Sequence, residues 1–267
     1  MAFPIRIGGR KIDEISDLLT LTRGSAARAG RWLLNADADT YRANETDPNH
    51  PREVKAIADT ALEERVLEDL RSTGIPVLSE ESARPAGVGE KELQFIVDPL
   101  DGTFNYVHGL GPWAVSIALW RGAEPIFGVV YSADDDAVYW GGPGIGAFRG
   151  DDPITVSDIS DRSRASLCTG MPARADLEDP MFKKRFWKAA LGFGKTRMLG
   201  SAAVSLARVA SGAADAYCED GIMIWDVAAG LAIVMGAGGA QTRTPVAADH
   251  SFDVFASNGY LTHPAES

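Results

Sequence analysis

Apolar and small residues recur at helical spacing near the start of the chain: Ile12, Ile15, Leu18, Leu19, Thr22, Ala26, Ala29 and Leu33. That period predicts a long amphipathic helix with one buried stripe. The segment from Asn35 to Pro51 is rich in Asp, Asn and Pro and reads as a mobile loop. A second helical period follows in Val54, Ile57, Ala58, Ala61, Leu62, Val66, Leu67 and Leu70, with Gly74 as its stop signal.

Beyond Gly74 the pattern shortens. Runs at Val77–Leu78, Leu93–Val97, Val115–Trp120, Ile126–Tyr131 and Ala137–Trp140 are β-branched or aromatic and separated by Gly, Pro and acidic turns. They predict a largely antiparallel sheet. After about Thr155, strand candidates at Ser166–Thr169, Thr196–Met198, Ala214–Cys218 and Phe252–Ser257 alternate with helices at Pro180–Ala190, Ser201–Ser211 and Asp226–Met235. The expectation is residues 1–154 as helices plus sheet, residues 155–267 as an α/β half, and one rigid unit, since no flexible linker divides them.

Composition narrows the function. The 267 residues are 45% hydrophobic, enough for a substantial core, and the 28 glycines follow no period. A formal net charge of −11 disfavours nucleic acid polymers and anionic membranes as partners. It also repels phosphorylated metabolites, unless bound cations reverse the potential locally. Two cysteines, Cys168 and Cys218, do not make a disulfide scaffold. Met1–Arg10 lacks the apolar core of a signal peptide, and the uncharged stretch Val227–Thr242 is short and glycine-rich for a membrane span. A cytoplasmic protein is expected.

Four acidic clusters carry candidate chemistry. Asp98-Pro99-Leu100-Asp101-Gly102-Thr103 follows an apolar strand. Asp-Pro and Asp-Gly are common turn formers, so a plain turn explains it equally well. Two carboxylates converging across one turn, however, repel unless a cation lies between them, and the backbone N–H groups of Gly102 and Thr103 suit phosphate oxygens. Ser79-Glu80-Glu81-Ser82 ends another short strand and is otherwise a solvated surface. Asp226 precedes a helix and reads as its N-cap. Asp59 and Glu63 share the second helix. Asp37-Ala38-Asp39 raises a calcium loop but lacks the glycine and terminal glutamate of an EF-hand.

The strings SEES at 79–82, DPLDGTFNYVHG at 98–109 and LGSAAVSLARVASGAADAYCEDGIMIWDVAAG at 199–230 resemble, in order and spacing, the inositol monophosphatase family. The resemblance spans about residues 53 to 257. It implies an α+β fold, a layered αβαβα sandwich, and a lithium-sensitive phosphatase using two or three Mg²⁺. It also implies metal ligation by Glu80, Asp98, the main-chain oxygen of Leu100, Asp101 and Asp226. Glu80 and Thr103 would orient the attacking water, with Asp59 behind them. Asp101, Gly102, Thr103, Gly200, Ser201, Ala202 and Glu219 would contact substrate. All-oxygen ligands without His or Cys suit a hard ion such as Mg²⁺.

The implied substrate is a small polyol or sugar phosphate, foremost inositol 1-phosphate. Histidinol phosphate, fructose 1,6-bisphosphate and adenosine 3′,5′-bisphosphate are the alternatives. A homodimer is implied, and a catalytically idle dimeric regulator is the non-enzyme alternative. Lys55-Ala56 stands where the family usually has Val-Thr, which puts a third metal in question. Phe104 replaces the usual threonine and is expected to pack inward. His108 is expected to fix a turn, Trp225 to pack in the core, and Cys218 to be a buried structural thiol.

Overall fold

The structure, a computed structural model, describes residues 5–7, 10–12, 15–47, 50–82, 92–246 and 250–263. A hairpin of β1 (Ile5–Ile7) and β2 (Arg10–Ile12) leads to α1 (Ile15–Leu34), whose buried stripe includes Leu18, Leu19, Thr22, Ala26, Ala29 and Leu33. The polar stretch after α1 is not a plain loop. It holds the single turn α2 (Ala38–Tyr41), and then β3 (Asn44–Asp47) pairs antiparallel with β4 (His50–Ala56). The second helix therefore starts later than its apolar period suggests: α3 is Ile57–Arg71, and Val54–Ala56 are extended. Asp59 sets this start. Its carboxylate, at the third helical position, accepts the Ala56 N–H at 2.5 Å.

A seven-stranded sheet follows: β5 (Val77–Ser79), β6 (Leu93–Asp101), β7 (Ala114–Arg121), β8 (Glu124–Ser132), β9 (Ala137–Gly142), β10 (Gly146–Arg149) and β11 (Asp152–Pro153). Its spatial order runs β11-β10-β9-β8-β7-β6-β5, antiparallel except at β5–β6. Between β6 and β7 lies α4 (Thr103–His108). A five-stranded mixed sheet, order β13-β12-β14-β16-β15, is built from β12 (Ser166–Thr169), β13 (Lys195–Arg197), β14 (Ala216–Met223), β15 (Ala240–Pro245) and β16 (Ser251–Ser257). Its helices are α5 (Pro180–Leu191), α6 (Ala202–Ala210) and α7 (Ile224–Gly236).

Strand alternation sorts the layers. Phe95, Val97, Val115, Ile117, Leu119, Val129 and Tyr131 face α1 and α3 in one core. Ile96, Ala118, Trp120 and Val130 face the other way, packing with α6 and α7 against Tyr217, Val254 and Ala256 of the smaller sheet. Leu167, Ala216, Cys218 and Phe255 turn to Ala189 of α5 in a third cluster. The result is the α+β layering αβαβα. Helix α7, apolar almost all round, suits its place between two sheets. Its contact with β8 is close: a Cβ on Gly128 would lie 2.0 Å from the carbonyl oxygen of Ala229. Both cysteines are buried and free.

Candidate active site

The end of β6, β4, the smaller sheet and the helices α6 and α7 meet at one cavity of about 550 Å³. Three carboxylates gather there from three separate segments: Glu80 just after β5, Asp98 within β6, and Asp226 in the first turn of α7. One oxygen from each lies within 4.8 Å of the others. Asp98 is not at a strand end, because β6 continues through a bulge to Asp101. That places Asp98 on the α7 face, opposite Ser116 of β7. Nor is Asp226 an N-cap. Strand β14 passes directly into α7, Met223 occupies the cap, and Asp226 at the third position accepts the Met223 N–H at 3.3 Å.

The electrostatics ask for a cation. Asp98 is 1% exposed; its Oδ1 accepts the Leu100 N–H at 2.9 Å, but its Oδ2 is buried with no hydrogen-bond partner among the described residues. Burial, and then repulsion from Glu80, Asp101 and Asp226, hold its carboxyl well above the ordinary range. Burial and then Asp226 do the same to Glu80, while burial and then Asp101 raise Asp226. An unsatisfied buried carboxylate oxygen beside two others is the donor set that a hard divalent ion fits.

Thr103 Oγ1 lies 2.9 Å from both Asp59 Oδ1 and the carbonyl oxygen of Leu100, so its single proton serves one acceptor at a time. The threonine thus links α3 to the end of β6. Burial pushes the Asp59 carboxyl up to about 7, against its bonds from Ala56 and Thr103. Asp101 turns toward α6, where Ser201 Oγ donates to its Oδ2, joined by the N–H groups of Ala203 (2.8 Å) and Ala202 (3.2 Å). Burial raises Asp101 to about 6 despite these donors. Two glycines allow this closeness. Gly102 (φ 91°) and Gly200 (φ 75°) both lie in the left-handed region, and a Cβ on Gly102 would come within 3.1 Å of the Gly200 carbonyl oxygen.

Glu219 lines the same cavity from β14. Tyr217 donates its hydroxyl to Glu219 Oε2 at 2.8 Å, and burial pushes the Glu219 carboxyl up to about 7. Gly200, Ser201, Ala202, Gly102 and Thr103 also line it. Leu100 is buried beside the carboxylates, with its carbonyl engaged by Thr103.

Other expectations need correction. Phe104 does not pack inward: it is 51% exposed at the cavity mouth, with the exposed His108 ring 4.3 Å from its own. One helical turn, with α4 too short to bury both faces, leaves that side of Phe104 in solvent. Asn105 holds the turn, donating to the carbonyls of Pro112 and Leu199, both at 2.8 Å. Trp225 and Cys218 are buried as expected.

Glu63, paired with Asp59 in the sequence but given no role there, anchors the 79–82 turn by accepting the Ser82 N–H (3.1 Å) and hydroxyl (2.9 Å). Nor did the sequence assign roles to Arg174 or Lys55, both lining the cavity. Arg174 makes a two-point bond to Glu53 of β4 across 121 residues of chain. No local pattern signals such a partner.

A model of the inositol monophosphatase family matches residues 14–263. The chain belongs to the inositol monophosphatase family. A protein of Aquifex aeolicus named fructose-1,6-bisphosphatase/inositol-1-monophosphatase is 33% identical over 219 residues, covering 81% of this chain and 82% of that one. The inositol monophosphatase structure from Anabaena (Nostoc) sp. PCC 7120 superposes with a TM-score of 0.77 at 33% identity, covering 94% of both chains. The extragenic suppressor protein suhB of Bartonella henselae gives 0.79 at 29% identity, over 91% of this chain and 95% of that one. Members of this family are phosphomonoesterases that act on small phosphorylated substrates and are generally metal-dependent. No helix among the described residues is long and apolar enough to cross a membrane.

Proposed function

We propose that the protein is a Mg²⁺-dependent phosphatase for a small polyol or sugar phosphate, with inositol 1-phosphate as the preferred substrate. The carrying observation is the buried Asp98 carboxylate, its Oδ2 unpartnered among the described residues, grouped with Glu80 and Asp226 beside an open cavity. Glu80, Asp98, Asp226, Asp101 and the carbonyl of Leu100 are the groups that would hold the ions. Bound there, Mg²⁺ lowers the pKa of water and offsets charge on the phosphoryl and leaving oxygens.

The chain's own residues do the rest. Glu80 and Thr103 orient the attacking water, with Asp59 steadying Thr103. The turn at Gly102–Thr103 presents backbone N–H groups to phosphoryl oxygens. Glu219, aligned by Tyr217, accepts hydroxyl donors of the substrate, which favours a polyol over an apolar ester. Ser201 and Ala202 position Asp101 and the pocket wall. Fructose 1,6-bisphosphate is the second reading, because the Aquifex relative's name includes it.

The test is phosphate release from inositol 1-phosphate, histidinol phosphate, fructose 1,6-bisphosphate and adenosine 3′,5′-bisphosphate, with Mg²⁺, with lithium and with chelator. The proposal expects hydrolysis of the first at the highest kcat/KM, abolished by chelator and inhibited by lithium. No release from any of the four would reject the enzyme reading in favour of a non-catalytic role. A homodimer in the cytoplasm accords with the family resemblance, and light scattering checks the dimer.

A further inference from the structure

Lys55 and Glu53 are two residues apart on β4, so strand alternation places them on one face, and both line the cavity. Each has an opposite charge from elsewhere in the fold. Glu53 is held by Arg174 at 3.0 and 3.2 Å. Lys55 Nζ lies 2.9 Å from Glu81 Oε2, with the Lys55 side chain 40% exposed and that of Glu81 only 13%. Glu81 neighbours Glu80 of the carboxylate group, and Lys55 is within electrostatic reach of Glu80 too. A cation next to a largely buried carboxylate offsets its charge, and removing that cation leaves the charge uncompensated. For Glu81 the fold supplies that cation itself.

We propose that Lys55 is a positioning residue acting as a built-in cation of the site. Its ammonium holds Glu81 neutralised, and divalent ions are thereby confined to the Glu80, Asp98 and Asp226 side of the cavity. This rests on the proposed metal-dependent reading of the same site. It follows that the chain binds one divalent ion fewer than it would with a neutral residue at 55. Lys55→Met keeps the length of the side chain but leaves the Glu81 charge free beside Glu80, creating an additional anionic pair. Glu81→Gln does the opposite, leaving an uncompensated ammonium that repels Mg²⁺ from Glu80.

Calorimetric titration with Mg²⁺ alone, without substrate, tests this. Lys55→Met is expected to bind one more Mg²⁺ per chain than the wild type, with a steeper Mg²⁺ dependence of phosphate release. Lys55→Met/Glu81→Gln is expected to return to the wild-type count, and Lys55→Arg to keep it. Glu81→Gln should weaken Mg²⁺ binding roughly tenfold, the size expected of one extra unit charge a few ångströms away. An unchanged count in folded Lys55→Met overturns the inference. If that variant does not fold, unchanged Mg²⁺ affinity in Glu81→Gln overturns it. A merely structural pair would lower the melting temperature without moving either binding parameter. A wild type that binds no Mg²⁺ at all rejects the metal-dependent reading itself, a separate outcome from a wild type that binds it while its variants do not differ.

Discussion

Asp98 carries the largest unmet electrostatic demand at the scale of single residues: 1% exposed, repelled by three carboxylates, and with one oxygen unpaired. Asp98→Asn removes a charge whose value lies in the transition state, so kcat for phosphate release should fall at least ~100-fold. The same substitution relieves repulsion when no metal is present. Thermal melts in chelator should therefore show Asp98→Asn at least as stable as the wild type, while Mg²⁺ stabilises the wild type far more. Glu219 gives a second residue-scale prediction. Removing its carboxylate charge in Glu219→Gln keeps a partner for Tyr217, and should raise KM for inositol 1-phosphate about tenfold or more while largely sparing hydrolysis of a simple aryl phosphate.

The helices that frame the site are legible because their apolar stripes repeat at 3.6 residues; Leu18 to Leu33 of α1 emerge as buried as their spacing implies. The β3–β4 hairpin is not legible. Its pairing uses backbone groups, and its polar side chains carry no period to announce it. The tie between Asp101 and the start of α6 is equally silent, since Ser201 meets it across 100 residues. The chemistry of 98–103 was ambiguous from residue types alone, turn or cation site, and became specific only through its resemblance together with distant segments. Two predictions belong here. Ser201→Ala removes both the Asp101 partner and the bond to the Val204 N–H, and should cost about 1 kcal/mol in urea unfolding. Gly128→Ala drives a methyl into the Ala229 backbone of α7 and should cost about 2 kcal/mol or more in urea unfolding.

For the whole molecule, buried carboxyls make stability depend on pH. Glu219 and Asp59 are each held near 7 in the folded chain, far above their unfolded values. Between the unfolded and folded values the native state keeps protons that the unfolded chain has released. The stability these two carboxyls contribute is therefore full below about pH 4 and falls as pH rises toward 7, by about 1.4 kcal/mol per pH unit for each such proton. Melts of the metal-free protein from pH 5 to 8 should decline steadily, and Mg²⁺ should flatten that decline by binding the native state alone. The central claim is that Glu80 after β5, Asp98 of β6 and Asp226 of α7 jointly hold a divalent ion. Anomalous diffraction from crystals soaked in Mn²⁺ tests it most directly: the account predicts a peak bonded to Asp98 Oδ2 and to oxygens of Glu80 and Asp226. An active enzyme whose crystals show no Mn²⁺ peak at those three residues would contradict it.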